Sequence, residues 1–169
     1  TLENRMRFII EIAKEIRENL PEEKPFFVRV SAIDGIEGGL TIDDTIALAK
    51  KLKEIGVDVI DCSSGGILGS VTAAKIKRGP GFQVQYSEKI KKEVQIDTMA
   101  VGLITEAIQA EEILKKNQAD LIAIGREVLF NPNWANHAEL DLIGFNGFKS
   151  WPKQYGWWLD KSFLSLEKK

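Results

Sequence analysis

Apolar positions along the chain follow two different periods. The first segment spaces Ile9, Ile12, Ala13, Ile16 and Leu20 so that they share one helix face. Later segments instead contain short, nearly continuous apolar runs, in "FFVRVSA", "VDVIDC", "DTMAVGLI" and "DLIAIGR". Such runs are typical of buried strands, and helical patterns separate them from one another. The pattern therefore predicts a βα alternation from the start of the chain to its end.

This alternation predicts an α/β fold with parallel strands and right-handed crossovers. The predicted strands are Phe26–Ser31, Val57–Asp61, Met99–Val101 and Leu121–Ile124, with helices on one face. Because these runs are apolar almost throughout, we expect both faces of the sheet to be buried.

Turn and cap residues locate the ends of the helices. Thr41, with Asp44 three positions later, predicts a capping box, and Gly56 ends the same helix. Thr105 is the predicted cap of a later helix. Asn131 is the predicted cap of the last helix, with Pro132 at its first position.

The organisation of the chain is that of one domain followed by a tail. We predict a βα domain at 1–141 and an aromatic, loop-rich tail at 142–169, with no linker that divides the chain in two. The stretch from Ile67 to Val84, which carries "KRGPGFQ", is predicted to be a loop of functional length.

Composition narrows the class of protein. The 169 residues carry a formal charge of -2, with no basic excess that would indicate nucleic acid. No apolar run is long enough to cross a membrane, and no signal-peptide pattern is present. The single cysteine excludes a disulfide framework and a multi-cysteine zinc site, so we expect a cytoplasmic protein without a bound metal.

Polar and glycine residues cluster where the predicted strands end, which is where α/β folds bind ligands. The cluster contains Arg29, Ser31, the range 63–66, Gly102, Gly125 and Arg126. In barrels a phosphate often lies at the loops after the last two strands. Main-chain N–H groups near Gly102 and Gly125, with the charge of Arg126, would suit such an anion. A tight turn with a solvated arginine is the simpler interpretation of Gly125 and Arg126 alone.

Arg29 lies between two valines in a predicted buried strand, where an unpaired charge would cost several kcal/mol. It therefore needs an acceptor. The acceptor is either an internal carboxylate, from Asp34 or Asp61, or a ligand that gains negative charge during a reaction.

Other reactive residues have simpler interpretations. Cys62 is predicted to be a small core residue, and His137 is predicted to have a surface or packing role in its helix. The tryptophan-rich tail is either core packing or an arm that docks on a partner.

Several motifs in one order resemble a known family. "NRMRFIIEI", "FVRVSA", "GVDVIDCSSGG", "AVGLI" and "ADLIAIGREVLFNPNWA" are similar to segments of the old yellow enzyme family, especially its bacterial-type ene-reductases and NADPH dehydrogenases. The resemblance covers Leu2 to Ala138 and continues into "PKQYGWW".

The resemblance implies the C-terminal half of a TIM (β/α)₈ barrel that holds FMN, with strands corresponding to the fifth to the eighth. It implies that Arg29 faces the flavin N1 and C2 carbonyl and stabilises the reduced flavin. Gly102, Gly125 and Arg126 would then bind the phosphate. NAD(P)H is the implied reductant and an activated alkene the implied substrate.

The segments that carry the family's substrate-binding pair, two histidines or a histidine and an asparagine, and its tyrosine proton donor do not occur in these residues. The family's tail reaches a neighbouring subunit, which makes Trp157 or Trp158 the candidate contact in a homo-oligomer. One interpretation is therefore the FMN-binding half of an oxidoreductase. The other is a non-catalytic half-barrel that binds a phosphate ligand or serves in assembly.

Half a barrel has two open sheet edges. We expect an apolar inner layer that contains Val28, Val30, Ile60, Ala100 and Ile122 to lose its facing side chains. The chain by itself should then self-associate, pair with a complementary half or be partly disordered.

Overall fold

The computed structural model describes residues 1–65, 76–145 and 147–166. Within them, strands and helices alternate in the predicted order. The helices are α1 (Leu2–Asn19), α2 (Ile42–Ile55), α3 (Val84–Val94), α4 (Ala107–Lys115), α5 (Arg126–Phe130), α6 (Trp134–Ile143) and α7 (Lys153–Leu166). The strands are β1 (Phe27–Ser31), β2 (Val59–Ser63), β3 (Asp97–Val101) and β4 (Leu121–Ala123).

The four strands form one parallel sheet in the order β1-β2-β3-β4. This confirms the predicted architecture, which is that of half a (β/α)₈ barrel. The ladder pairs Phe27 with Val59 and Val59 with Asp97. β2 therefore begins at Val59, two residues after the predicted Val57, and β3 begins at Asp97, two residues before the predicted Met99.

Two aspartates hold the amino ends of the strands together. The Asp58 carboxylate accepts a hydrogen bond from the Phe26 N–H at 2.7 Å. The Asp120 carboxylate accepts one from the Thr98 N–H at 2.9 Å and pairs with Lys91 at 2.6 Å. Each aspartate lies just before a strand and bonds the backbone of the preceding one, which supports the parallel register.

The helices cover one face of the sheet. Side chains that share this face through the strand register pack against α2, α3 and α4: Val30, Ile60, Cys62, Ala100 and Ile122. Ile60, Cys62 and Ala100 have no exposed surface. The core therefore lies between sheet and helices.

The prediction of the inner layer is wrong, because its five residues lie on the face of the sheet that the helices cover. Val28, Val30, Ile60, Ala100 and Ile122 point toward the helices, which cover them within this chain. The opposite face, which is the interior in a closed barrel, carries the residues that remain accessible. Phe27 is 41% exposed and Leu121 is 40% exposed there, so the sheet is not buried on both faces as predicted.

The predicted ends of α2 are confirmed. The Thr41 hydroxyl accepts from the Asp44 N–H at 3.2 Å, and the Asp44 carboxylate accepts from the Thr41 N–H at 3.0 Å. Gly56 ends the helix with φ of 99°, a conformation that favours glycine.

The predicted cap of α4 is wrong. The helix follows Glu106, and no side chain caps it. Thr105 lies outside the helix because its peptide groups bond elsewhere: its N–H to the Gln109 side chain and its carbonyl to Trp134.

The end of the chain also differs from the prediction. Asn131 ends α5 instead of capping a helix, Pro132 follows it, and α6 begins at Trp134 after Asn133. The tail contains helix α7 and is not mainly loop.

Of the predicted loop from Ile67 to Val84, residues 67–75 lie outside the described residues, as does Gly66 of the strand-end cluster. Residues 76–83 form turns, and α3 begins at Val84. Within the described part of the chain, no helix has the length and apolarity needed to span a membrane.

Candidate functional site

A cleft of about 630 Å³ opens at the carboxyl ends of β1, β3 and β4. Four residues of the predicted strand-end cluster line it: Arg29, Gly102, Gly125 and Arg126. Ser31 and residues 63–65 of that cluster are not part of the lining. They come from positions up to 97 residues apart (126 − 29 = 97) and meet because parallel strands end at the same edge of the sheet. Besides the two arginines, the lining contains several apolar residues: Val101, Leu103, Ile104, Ala123 and Ile124.

Arg29 is paired and also accessible. It lies opposite Asp61 in the β1–β2 register, and its Nη1 is 3.4 Å from Asp61 Oδ2. The expectation that Arg29 is buried is wrong, since its side chain is 61% exposed on the face that the helices leave open. Of the two proposed internal partners Asp61 is the one that pairs; Asp34 instead accepts a hydrogen bond from the Leu40 N–H.

Asp61 is the more buried member of the pair, with 13% of its side chain exposed. Its Oδ1 is buried and has no hydrogen-bond partner within the described residues. Burial raises the pKa of this carboxyl, and the Arg29 charge opposes that shift. The Asp61 carboxylate therefore partly compensates the positive charge that Arg29 presents to the cleft.

Gly102 is a position where a side chain does not fit. Its φ is +123°, and an added Cβ would lie 2.9 Å from the Gln83 Nε2 and 3.1 Å from the Phe82 ring. Its carbonyl accepts a hydrogen bond from the Gly81 N–H at 2.8 Å. The backbone therefore packs closely against the segment that precedes α3.

Gly125 has the opposite environment, because an added Cβ would meet nothing within 4 Å. The glycine leaves the backbone open at the edge of the cleft, directly before Arg126. Both residues are exposed, so a ligand in the cleft can reach the guanidinium.

Sequence reasoning missed Gln83, which lines the cleft with only 6% of its surface exposed. Its Oε1 accepts from the Ser64 hydroxyl at 2.7 Å, and its Nε2 donates to the Val101 carbonyl at 3.3 Å. Gln83 thus links the loop after β2 to the last residue of β3. The length of the stretch that carries "KRGPGFQ" indicated a functional loop, but nothing in the pattern distinguished this glutamine.

Cys62 and His137 lie outside the cleft lining. Cys62 is buried, and burial together with the nearby Asp61 raises the pKa of its thiol to about 12, which agrees with the predicted core role. The His137 ring packs 5.5 Å from the Trp151 ring in the tail. Within the described residues no group of three or more His, Cys, Asp or Glu side chains could hold a metal ion.

Residues 1–143 match the NADH:flavin oxidoreductase / NADH oxidase family. The chain is 49% identical over 142 residues to an NADPH dehydrogenase of Halalkalibacterium halodurans, covering 84% of this chain and 40% of that protein. It is 49% identical over 140 residues to an NADPH dehydrogenase of a Geobacillus species, covering 83% and 39%. The chain therefore spans about two fifths of the length of these relatives.

Among solved structures, a 2-naphthoyl-CoA reductase in complex with 2-naphthoyl-CoA superposes with a TM-score of 0.71 at 27% identity. The superposition covers 82% of this chain and 22% of that one. The likeness supports the arrangement of strands and helices as part of a larger reductase fold.

Proposed function

Because the chain belongs to the NADH:flavin oxidoreductase / NADH oxidase family, the family that its motifs resemble, we propose that it is the FMN-binding half of an NAD(P)H-dependent flavin oxidoreductase. The observation that carries this proposal is the meeting of Arg29, Gly102, Gly125 and Arg126 in one cleft. The relatives named NADPH dehydrogenase support the choice of reductant. An ene-reductase reaction, in which an activated alkene is reduced, is the finer form of the proposal.

The cleft suits FMN in charge and size, since two arginines and one carboxylate, that of Glu127, are among its lining residues. Its volume of about 630 Å³ lies within the range of small-molecule sites, roughly 300–1,000 Å³. A phosphate suits the end where Arg126 adjoins the open backbone of Gly125. The apolar residues of the lining suit a flat ring system.

The two arginines have separate roles in this proposal. Arg126 and the backbone at Gly102 and Gly125 hold the phosphate. Arg29 places a cation near the ring system and offsets the negative charge that reduction brings there. When bound, FMN supplies the two-electron chemistry that relays hydride from NAD(P)H to the alkene.

A non-catalytic phosphate-binding half-barrel is the second candidate, and one observation favours it for this chain by itself. The cleft lining within the described residues contains neither histidine nor tyrosine, so the acid and carbonyl-binding groups of an alkene reduction are not among them. In this candidate function the cleft still binds an anion, but the protein catalyses no reaction.

Absorption spectroscopy separates the two candidates. The purified chain is mixed with FMN and gel-filtered, and the retained flavin is measured before and after anaerobic addition of NADPH. We expect flavin to co-elute and to bleach with NADPH. Flavin that co-elutes but never bleaches would favour the binding module, and no retained flavin would contradict the FMN proposal for this chain.

A further inference from the structure

The loop that follows β3 forms one wall of the cleft. Gly102, Leu103, Ile104 and Thr105 all line it, and the segment from Ala123 to Glu127, which follows the neighbouring strand β4, lines it as well. The width of the cleft therefore depends on what holds this loop relative to the segment after β4.

Trp134 connects the loop after β3 with the part of the chain that follows β4. It is the first residue of α6, eight positions after Arg126 (134 − 126 = 8), and its indole N–H donates to the Thr105 carbonyl at 2.6 Å. The ring is partly buried and packs against the cluster that contains Ile104 and Ala110. Packing fixes the ring, and the hydrogen bond attaches the loop to it.

Thr105 is held through both of its peptide groups. Its N–H donates to the Gln109 side chain at 3.2 Å, while Trp134 takes its carbonyl. At the other end of the loop, the Gly102 carbonyl accepts from Gly81. Loss of the Trp134 bond would leave the Thr105 carbonyl without this partner and release the end of the loop nearest α6.

We propose that Trp134 is a positioning residue that sets the distance between the phosphate-side walls of the cleft. The proposal rests on the proposed function, because it concerns the phosphate end of the FMN site. Trp134 itself is not part of the cleft lining, so it acts through the position of Thr105 and its neighbours.

The test compares Trp134→Phe, which retains an aromatic ring and removes the donor, with Trp158→Phe as a matched control on an exposed ring, 67% accessible. Dissociation constants for FMN and riboflavin are measured by flavin fluorescence. We expect Trp134→Phe to weaken FMN binding about tenfold, the fold-change of one net hydrogen bond. Riboflavin, which lacks the phosphate, should lose less than about threefold, and Trp158→Phe should match the wild type for both ligands.

An equal loss for FMN and riboflavin, or an FMN affinity equal to that of Trp158→Phe, would overturn the proposal. Amide hydrogen exchange supplies a readout that needs no flavin. Residues 103–106 should exchange faster in Trp134→Phe than in Trp158→Phe while both variants melt cooperatively. Unchanged exchange there overturns the positioning role even if the wild type fails to bind FMN, an outcome that would separately reject the proposed function.

Trp134→Phe could also fail to fold. In that case the indole N–H of Trp134 in the wild-type chain decides, since it should exchange with solvent far more slowly than the indole N–H of free N-acetyltryptophanamide. An exchange rate equal to that of the free compound overturns the proposal.

Discussion

Arg29 and Asp61 are neighbours across two strands, and each changes what the other can do in the cleft. Among the described residues, Asp61 bonds one guanidinium nitrogen of Arg29 at 3.4 Å and no other partner of the guanidinium is found, so its other donors can meet a ligand. The exposed Arg29 side chain can turn toward the cleft, while the carboxylate beneath it is largely buried. Arg126 has a different setting, because it is exposed and directly follows a glycine in the segment after β4.

Replacing each arginine by alanine should separate the two ends of the FMN site. Arg126→Ala should raise the FMN dissociation constant about tenfold or more, since hydrogen bonds to charged groups contribute roughly 1.5–3 kcal/mol. Arg29→Ala should instead lower the flavin reduction potential by about 30 mV, or roughly 1.4 kcal/mol for a two-electron couple. Fluorescence titration and dye equilibration measure the two quantities. Equal losses of FMN affinity with an unchanged potential in both variants would contradict the assignment.

Asp61→Asn should change the pH dependence of stability in a defined direction. Burial raises the pKa of Asp61 in the folded chain, so between the ordinary carboxyl pKa and the raised one the folded state binds more protons than the unfolded state. This group therefore favours folding at low pH and loses that contribution as pH rises. Urea unfolding at about pH 3.5, 5 and 7 should show the stability of Asp61→Asn, relative to wild type, increasing with pH. A difference that shrinks toward neutral pH would show that the Arg29 pair outweighs burial.

At the scale of elements, two threonines that the sequence predicts as helix caps have different roles. Thr41 and Asp44 exchange hydrogen bonds at the start of α2, as their spacing predicts. Thr105 also precedes a helix, but its hydroxyl bonds the Glu106 carboxylate at 3.3 Å and leaves the helix end uncapped. The difference arises because Gln109 and Trp134 hold the Thr105 backbone outside α4.

Thr41→Ala should lower the free energy of unfolding by about 1 kcal/mol, the usual cost of a lost cap. Thr105→Ala, the matched control, should change it by less than about 0.5 kcal/mol. Urea denaturation monitored by circular dichroism checks both values. Similar losses in the two variants would mean that the capping box of α2 has no special contribution.

At the scale of the whole molecule, the open face and the ends of the sheet remain accessible. β1 and β4 are edge strands, and an open edge can pair with another chain. Large apolar side chains are also exposed near them, with Phe130 at 87% and Phe8 at 74%. In the tail, Trp157 is 53% and Trp158 is 67% exposed.

We therefore expect the 169-residue chain to self-associate, with the tail as a contributing surface. Sedimentation velocity over a range of concentrations should show species heavier than the 18.9 kDa monomer. Trp157→Ser combined with Trp158→Ser should reduce that association, because it removes exposed aromatic surface. A monodisperse monomer at every concentration, with a cooperative melt, would reject the expectation; unchanged association in the double variant would reject the role of the tail.

The order of strands and helices, the parallel class of the sheet and the ends of α2 follow from local sequence. They depend on the spacing of apolar residues, on the glycine that ends a helix and on side chains that cap its start. All of these act within a few residues. The grouping of Arg29, Gly102, Gly125 and Arg126 also follows, because each stands at or near the end of a strand run and parallel strands end together. Several motifs in one order are specific enough to indicate the family from the sequence alone.

Only the tertiary structure decided which face of the sheet the helices cover. An apolar strand can bury either face, so alternation alone could not tell that Val30 and Ile60 meet helices while Arg29 stays accessible. It also decided the partners of Asp61, Gln83 and Trp134, whose contacts join residues 18 to 32 positions apart. Such contacts form because the sheet and its helices bring distant loops together. A short-range pattern in the chain does not predict which of these residues will meet.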